Sequence, residues 1–231
     1  MNLHLVRLPL KTPELLRFAA LHQIPRDDDD LGYTLHAWLA ALFGATALKP
    51  FRHRDRQRDV LAYSANDAGM LLEQARAFST PETWAALDPA GVASKPMPED
   101  WGLGRRLNIE VLACPVTRRD DGEKDVYLRA LDRSEAEAPT RAETYKHWFT
   151  RQWRDAVDFE SLAISGLQAR SRLLRRDRRN GSRLRTIERP RAVFSGTVSI
   201  RQQDRFSELL ARGIGRHRAF GFGMILLSPP R

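Results

Sequence analysis

The chain carries, near its C-terminus, the segment Gly213-Ile-Gly-Arg-His-Arg-Ala-Phe-Gly-Phe-Gly223, here called the glycine loop. An amphipathic helix is predicted before it, from Asp204 to Arg212, and an apolar strand after it, from Met224 to Leu227. Glycines let a backbone approach a phosphate chain closely, and the arginines between them add positive charge. This order of elements, without a Gly-Lys-Ser/Thr ending, excludes a P-loop and a dinucleotide-binding turn. The sequence therefore ends in a helix, a basic loop and a strand.

We expect the glycine loop to follow the phosphates of a polyanion. The residues predicted to make these contacts are Gly213, Gly215, Arg216, His217, Arg218, Gly221 and Gly223. The alternative is a helix C-cap at Gly213 followed by a turn. That alternative would explain the first glycine and leave the other three unexplained.

A second basic segment precedes the glycine loop. Ten arginines lie between positions 170 and 191, against only two acidic residues, and Asn180-Gly181 is typical of the tip of a β-hairpin. Arginine binds phosphates in a bidentate manner and can also read guanine edges. The predicted nucleic-acid contacts of this basic hairpin are Arg170, Arg172, Arg175, Arg176, Arg178, Arg179, Arg183 and Arg185. The alternative is a solvated loop that becomes ordered only on binding.

Composition agrees with a nucleic-acid partner. The 231 residues carry a formal net charge of +9, which favours nucleic acid or an anionic surface without separating RNA from DNA. The single cysteine, Cys114, excludes a disulfide framework and a cysteine-based zinc site. No apolar run approaches the roughly 18 residues that span a bilayer, and no secretory segment is evident. We expect a soluble cytoplasmic protein without a membrane partner.

The order of predicted elements indicates the fold. Strands are predicted over residues 2–8, 59–64 and 106–114, and helices from 31 or 32 to 43 and after a Thr140/Glu143 capping box. The aromatic residues of that second helix are predicted to lie in the core. Strands and helices alternate so that two βαββαβ units in tandem form a natural α+β solution. We place the domains at residues 1–90 and 91–231.

Tyr33 and His36 lie three positions apart on the predicted helix, so both side chains project from one face. We predict that Asp30, in a solvated loop, caps this helix. RNA can be cut without a metal ion because its own 2′-OH is a nucleophile, and histidine is suited to act as the general base or the general acid. The alternative, which the pattern alone favours, is a half-buried structural histidine. No metal-ligand pattern is present, and no metal or cofactor is predicted.

Several segments of the chain resemble those of a known family. Residues 210–229 resemble the C-terminal signature of CasE (also called Cse3), the CRISPR repeat-cleaving endoribonucleases of type I-E Cascade. Tyr33-Thr-Leu-His36 is similar to the family's Tyr-x-Leu/Met-His, and Ala192-Val-Phe-Ser-Gly196 to its Val-x-Phe-x-Gly strand. Residues 107–115 resemble its central strand, although Glu110 and Val111 replace the usual basic residues. The arginines of residues 175–185 occupy the place of its basic β-hairpin.

The resemblance implies two tandem ferredoxin-like (RRM-like) domains, with Tyr33 and His36 as the catalytic pair. It implies metal-independent cleavage at the 3′ base of a CRISPR repeat hairpin, leaving a 2′,3′-cyclic phosphate and a 5′-OH. The protein would stay on the crRNA 3′ hairpin as a Cascade subunit, beside a backbone subunit. Two other functions stay open: a non-catalytic RNA-hairpin-binding subunit, and a DNA-binding regulator, which the lack of a helix-turn-helix disfavours.

Overall fold

The chain folds into two compact units, each assembled from distant parts of the sequence. A computed structural model describes residues 2–120, 122–132, 139–177 and 183–230. The first unit comprises Met1–Glu99, Arg172–Glu188 and Arg218–Gly221, and the second comprises Asp100–Ser171, Arg189–His217 and Phe222–Arg231. The first unit therefore includes part of the basic hairpin and part of the glycine loop. The domain boundary placed after residue 90 stays a prediction.

The first unit is built on a four-stranded antiparallel sheet of order β2-β3-β1-β4. Its strands are His4–Pro9 (β1), Phe51–Arg54 (β2), Asp59–Ser64 (β3) and Ala93–Pro96 (β4), and its helices are Thr12–Leu21 (α1), Gly32–Phe43 (α2), Ala68–Phe78 (α3) and Pro81–Ala85 (α4). Val6 of β1, one of the two inner strands, pairs with Ala62 on one side and Ser94 on the other. Helices cross between β1 and β2 and between β3 and β4, which gives the βαββαβ connection.

Helix α2 contributes more buried residues to the core of the first unit than its other helices do. Leu35, Trp38, Leu39 and Leu42 recur at helical spacing and are buried. Each such side chain contributes about 1.5–3 kcal/mol when it leaves water. The indole Nε1 of Trp38 also donates a hydrogen bond to the carbonyl oxygen of Thr83, at 2.9 Å. This packing holds the first turn of α2, where buried Tyr33 and half-buried His36 lie, in a fixed position.

The second unit repeats the same plan with one insertion. Its elements are Arg106–Ala113 (β5), Val116–Arg119 (β6), Gly122–Asp125 (β7), Val126–Leu131 (α5), Arg141–Gln152 (α6), Val157–Asp177 (β8), Arg183–Ile200 (β9), Gln203–Arg212 (α7) and Ile225–Ser228 (β10). The sheet order is β10-β5-β9-β8, and β6 and β7 form a separate two-stranded hairpin. The outer ends of the long strands β8 and β9 belong to the first unit. The predicted α+β fold with two ferredoxin-like domains is confirmed.

Local signals in α6 behave as predicted. Thr140 accepts from the backbone N–H of Glu143, whose carboxylate accepts from the N–H of Thr140, so the capping box is complete. The rings of Phe149 and Phe194 stack at 4.1 Å, and Trp153 is buried beside Phe149. The aromatic residues are therefore largely core, as predicted. Among the described residues, no helix has the length and apolar character to cross a membrane.

Candidate active site and nucleic-acid interface

Helix α2 follows a loop of four aspartates, residues 27–30, here called the acidic loop. Leu31 precedes the helix in the left-handed conformation, with φ 55°, and provides no side-chain cap. The carboxylate of Asp28, rather than that of Asp30, accepts a hydrogen bond from the backbone N–H of Tyr33, at 2.9 Å. The predicted cap at Asp30 is therefore wrong. Burial raises the pKa of Asp28, against the opposing effect of this hydrogen bond.

Tyr33 and His36 project together from α2 and share an aromatic neighbour, Phe220. The ring centroids of Tyr33 and His36 lie 6.1 Å apart. Phe220 stacks on Tyr33, at 6.1 Å, and meets His36 edge-on, at 5.2 Å. Phe220 ends a 3-10 turn, Arg218–Phe220, within the glycine loop. The three rings form a cluster, here called the ring cluster, in the first unit.

The imidazole of His36 is half-buried, and burial lowers its pKa below the ordinary value of 6.5. The positive charge of Lys49 lowers this pKa further. A histidine with a lowered pKa is neutral near pH 7, so its ring can accept a proton. These properties suit a general base.

The basic hairpin reaches the ring cluster through Arg176. The Nε–H of Arg176 donates a hydrogen bond to the hydroxyl oxygen of Tyr33, at 3.2 Å. Arg172, by contrast, is paired with the acidic loop, because its backbone N–H and its Nε–H donate to the carboxylate of Asp29, at 2.8 and 3.1 Å. On the returning strand, the hydroxyl of Thr186 donates to Asp27, at 2.6 Å. The acidic loop is thus packed against the hairpin rather than fully solvated.

The remaining predicted hairpin contacts differ in exposure. Arg170, Arg183 and Arg185 are exposed, and Arg175 is half-buried. Arg178 and Arg179, with the predicted Asn180-Gly181 tip, lie outside the described residues. The basic hairpin therefore presents an arginine-rich surface whose role in RNA binding stays a prediction.

The part of the glycine loop in the second unit is closed by backbone hydrogen bonds. Gly213, with φ 74°, follows α7 and donates to the carbonyl oxygen of Leu209, at 2.7 Å. The N–H of Ile214 donates to the carbonyl oxygen of Gly223, at 2.8 Å. A Cβ at Gly215 would lie 3.0 Å from the Trp148 ring. The C-cap alternative for Gly213 is thus present, and Gly215 is required by close packing as well.

A buried carboxylate, Glu123, holds two basic residues of the glycine loop, Arg216 and His217. It accepts hydrogen bonds from Arg216, at 2.6 Å, and Arg189, at 2.7 Å, and its other contact is His217 Nε2, at 2.8 Å. The side chains of Glu123 and His217 are 6% and 4% exposed. Although burial alone would raise the pKa of Glu123, the contacts with His217, Arg189 and Arg216 hold it well below its usual range. We call these four residues the Glu123 cluster.

Two residues of the Glu123 cluster, Arg216 and His217, are also predicted phosphate contacts. The side chains of Arg216 and His217 contact Glu123, and that of Arg216 stays 39% exposed. Arg218, on the 3-10 turn, is half-buried in the first unit. Contact of these three residues with RNA therefore stays a prediction. Neither Glu123 nor Phe220 belongs to a sequence pattern that indicates a functional residue. Glu123 follows the common sequence Asp-Asp-Gly, and Phe220 is one apolar residue among glycines.

Within the described residues, no group of three or more histidine, cysteine, aspartate or glutamate side chains is arranged to hold a metal ion.

Comparisons with known proteins point to one family. A family model described as CRISPR associated protein matches residues 3–229. A structure of the CRISPR endoribonuclease Cse3 bound to 19-nucleotide RNA has a TM-score of 0.63 and 16% identity, covering 99% of this chain and 100% of the other. Cas6e from Escherichia coli K-12 has a TM-score of 0.59 and 17% identity, covering all of both chains.

A chain of a CRISPR RNA-guided surveillance complex is also similar, with a TM-score of 0.57 and 16% identity over 99% of this chain and 100% of that one. No curated protein matches the sequence at a significant level. At these identities, the structural likeness establishes the fold.

Proposed function

The chain belongs to the CRISPR-associated protein family, and we propose that it is a metal-independent endoribonuclease that cleaves CRISPR repeat hairpins in precursor crRNA. After cleavage it stays on the 3′ hairpin of the crRNA as a subunit of Cascade. The observation that carries the proposal is the ring cluster, in which a half-buried histidine with a lowered pKa adjoins a tyrosine whose hydroxyl contacts an arginine.

The chemistry follows from RNA itself. His36 takes the proton of a 2′-OH, and the 2′-oxygen attacks the adjacent phosphorus. The bond from phosphorus to the 5′-oxygen then breaks, and that oxygen takes a proton from the hydroxyl of Tyr33. The products are a 2′,3′-cyclic phosphate and a 5′-OH. Tyr33 lies beside His36 on the same helix face and supplies a hydroxyl to the reacting phosphate.

Binding of the hairpin rests on charge. The net charge of +9 and the exposed arginines of the basic hairpin favour a polyanion, and phosphate contacts account for most of such affinity. The similar Cse3 structure is bound to RNA, and another similar chain belongs to an RNA-guided surveillance complex. These likenesses support RNA binding and assembly into an RNA-guided complex. We propose that this chain keeps its product and lies beside a backbone subunit of Cascade.

A single-turnover assay tests the proposal. End-labelled RNA carrying the repeat of the CRISPR array nearest the gene is incubated with excess protein in EDTA. We expect the parent protein to cleave, and His36→Ala to cleave at least about 10²-fold more slowly with unchanged RNA affinity. His147→Ala, a change at an exposed histidine of α6, is the matched control and should cleave like the parent.

Two results would contradict the proposal. If EDTA abolishes cleavage by the parent protein, the metal-independent scheme is wrong. If the parent protein binds the repeat tightly without yielding product, the chain is instead a non-catalytic hairpin-binding subunit.

A further inference from the structure

We propose that Arg176 is a third catalytic residue, which acts on the reacting phosphate through its guanidinium and polarises Tyr33. This inference rests on the proposed endoribonuclease function. It assigns Arg176 to the chemistry, whereas the charge pattern of the hairpin assigns it only to RNA binding.

The first argument is the direction of the hydrogen bond. Arg176 donates through Nε–H, so the phenol oxygen of Tyr33 is the acceptor, at 3.2 Å. A tyrosine hydroxyl has a single proton. That proton therefore points to an acceptor other than Arg176, and Tyr33 is arranged as a donor.

The second argument is the register of β8. Side chains two positions apart along a strand lie on the same face. Leu174 is buried in the core of the first unit, so Arg176 continues the face that packs against α2. Arg175, one position earlier, lies on the opposite face. Two adjacent arginines thus have different surroundings.

The third argument is the charge balance of the reaction. The 2′-oxygen to phosphorus bond forms, and the bond from phosphorus to the 5′-oxygen breaks. His36 gains the proton of the 2′-OH, and Tyr33 gives its proton to the departing 5′-oxygen. Negative charge then develops on the phosphate oxygens and on the phenol oxygen, and both are stabilised by a guanidinium that keeps further N–H donors, as far as the described residues go.

The test compares Arg176→Ala with Arg175→Ala, which removes the same charge from the adjacent position. RNA affinity and the cleavage rate at saturating protein are measured separately. We expect both variants to lose affinity equally. Only Arg176→Ala should also lose about 10²–10³-fold in the saturated rate, because that is the usual effect of removing a donor that stabilises developing charge.

Chemical rescue and a conservative variant complete the test. Guanidinium chloride at about 50 mM should restore part of the Arg176→Ala rate, whereas the same concentration of NaCl should not. Arg176→Lys should retain an intermediate rate, because it keeps the charge but not the planar fork.

Equal saturated rates for Arg176→Ala and Arg175→Ala would overturn the inference while leaving the proposed function intact. A parent protein that does not cut repeat RNA would instead overturn the proposed function, and the inference with it.

Discussion

Gly32 and Phe220 approach each other so closely that only glycine fits at position 32. A Cβ atom there would lie 2.7 Å from the carbonyl oxygen of Phe220, closer than real Cβ contacts allow. Gly32 is the first residue of α2, and the next residue, Tyr33, stacks on Phe220. The missing side chain therefore lets the turn of the glycine loop pack against the helix that carries the candidate catalytic residues.

Gly32→Ala should disturb this packing and slow cleavage of repeat RNA. The added methyl group meets backbone rather than a flexible side chain, so the turn must shift and the ring cluster loses its contacts. We expect a saturated cleavage rate reduced by at least about tenfold, since small misplacements at a reacting centre are costly. The measurement is single-turnover cleavage.

The control for this substitution is Gly69→Ala on helix α3. There the nearest atom would lie 3.4 Å from the new Cβ, and the position is exposed. Alanine is the better helix former, so stability should hold or rise by up to about 1 kcal/mol. Equal cleavage rates for the two variants would show that the Gly32 contact does not matter for function.

The dependence of cleavage on pH should identify His36 as a base. Because burial and Lys49 lower the pKa of His36, the ring is neutral throughout the neutral range. At subsaturating protein the rate reports the free protein, so it should fall on the acidic side with an apparent pKa below 6.5 and stay level up to about pH 8. A rate that instead declines from pH 6.5 upwards would assign His36 as the general acid.

Glu123→Gln should destabilise the second unit. The substitution leaves Arg189, Arg216 and nearly buried His217 without their anionic partner, and breaking such a pair costs about 3–5 kcal/mol when it is fully buried. Since both arginines are partly exposed, we expect the lower end of this range. The midpoint of urea denaturation followed by tryptophan fluorescence measures the effect.

The lowered pKa of Glu123 also predicts that the stability of the protein depends on pH. The pKa of Glu123 is lower in the folded protein than in the unfolded chain, so its contribution is complete above about pH 4.5 and decreases as the pH falls below that value. Glu123→Gln should lack this part of the acid sensitivity. Glu160→Gln, which removes an exposed ion pair with Arg106, should keep the acid sensitivity of the parent protein. If Glu160→Gln reduces the acid sensitivity as much as Glu123→Gln does, the argument is contradicted.

Gly196→Ala should prevent correct pairing of β8 and β9. A Cβ at position 196 would lie 2.1 Å from the carbonyl oxygen of Ser161, which is backbone and cannot move away without breaking the ladder. We expect loss of soluble folded protein or a destabilisation of several kcal/mol, as for other strongly overpacked sites. Circular dichroism on heating is the readout.

Gly166→Ala on β8 is the matched control, because its new Cβ would make an ordinary contact of 3.5 Å with Val193. Near-parental melting of this variant is expected. If Gly196→Ala has the same melting temperature as Gly166→Ala, the close approach of β8 and β9 does not constrain position 196 in solution.

Several features of the fold could be predicted because their signals are local. The capping box of Thr140 and Glu143 and the apolar spacing along α2 each lie within a few residues, and both elements form where predicted. The strand at Asp59–Ser64 follows in the same way from its apolar residues. The order of such elements was sufficient to predict two βαββαβ units.

The partners of the candidate site could not be predicted in this way. Arg176 and Tyr33 are 143 positions apart, and Glu123 and His217 are 94 apart. Their pairing depends on strand register and on the path of a loop, which periodicity does not encode. An arginine that is exposed to RNA and one that contacts a tyrosine are identical in the sequence.

The sequence by itself determined the α+β class, the basic character and the presence of Tyr33 and His36 on one helix face, because composition and spacing express these properties directly. Only the tertiary structure decided that Phe220 completes the ring cluster and that Glu123 holds Arg216 and His217 of the glycine loop. The physical reason is that burial and long-range contacts, rather than residue type, set the pKa of a group and the direction of its hydrogen bonds.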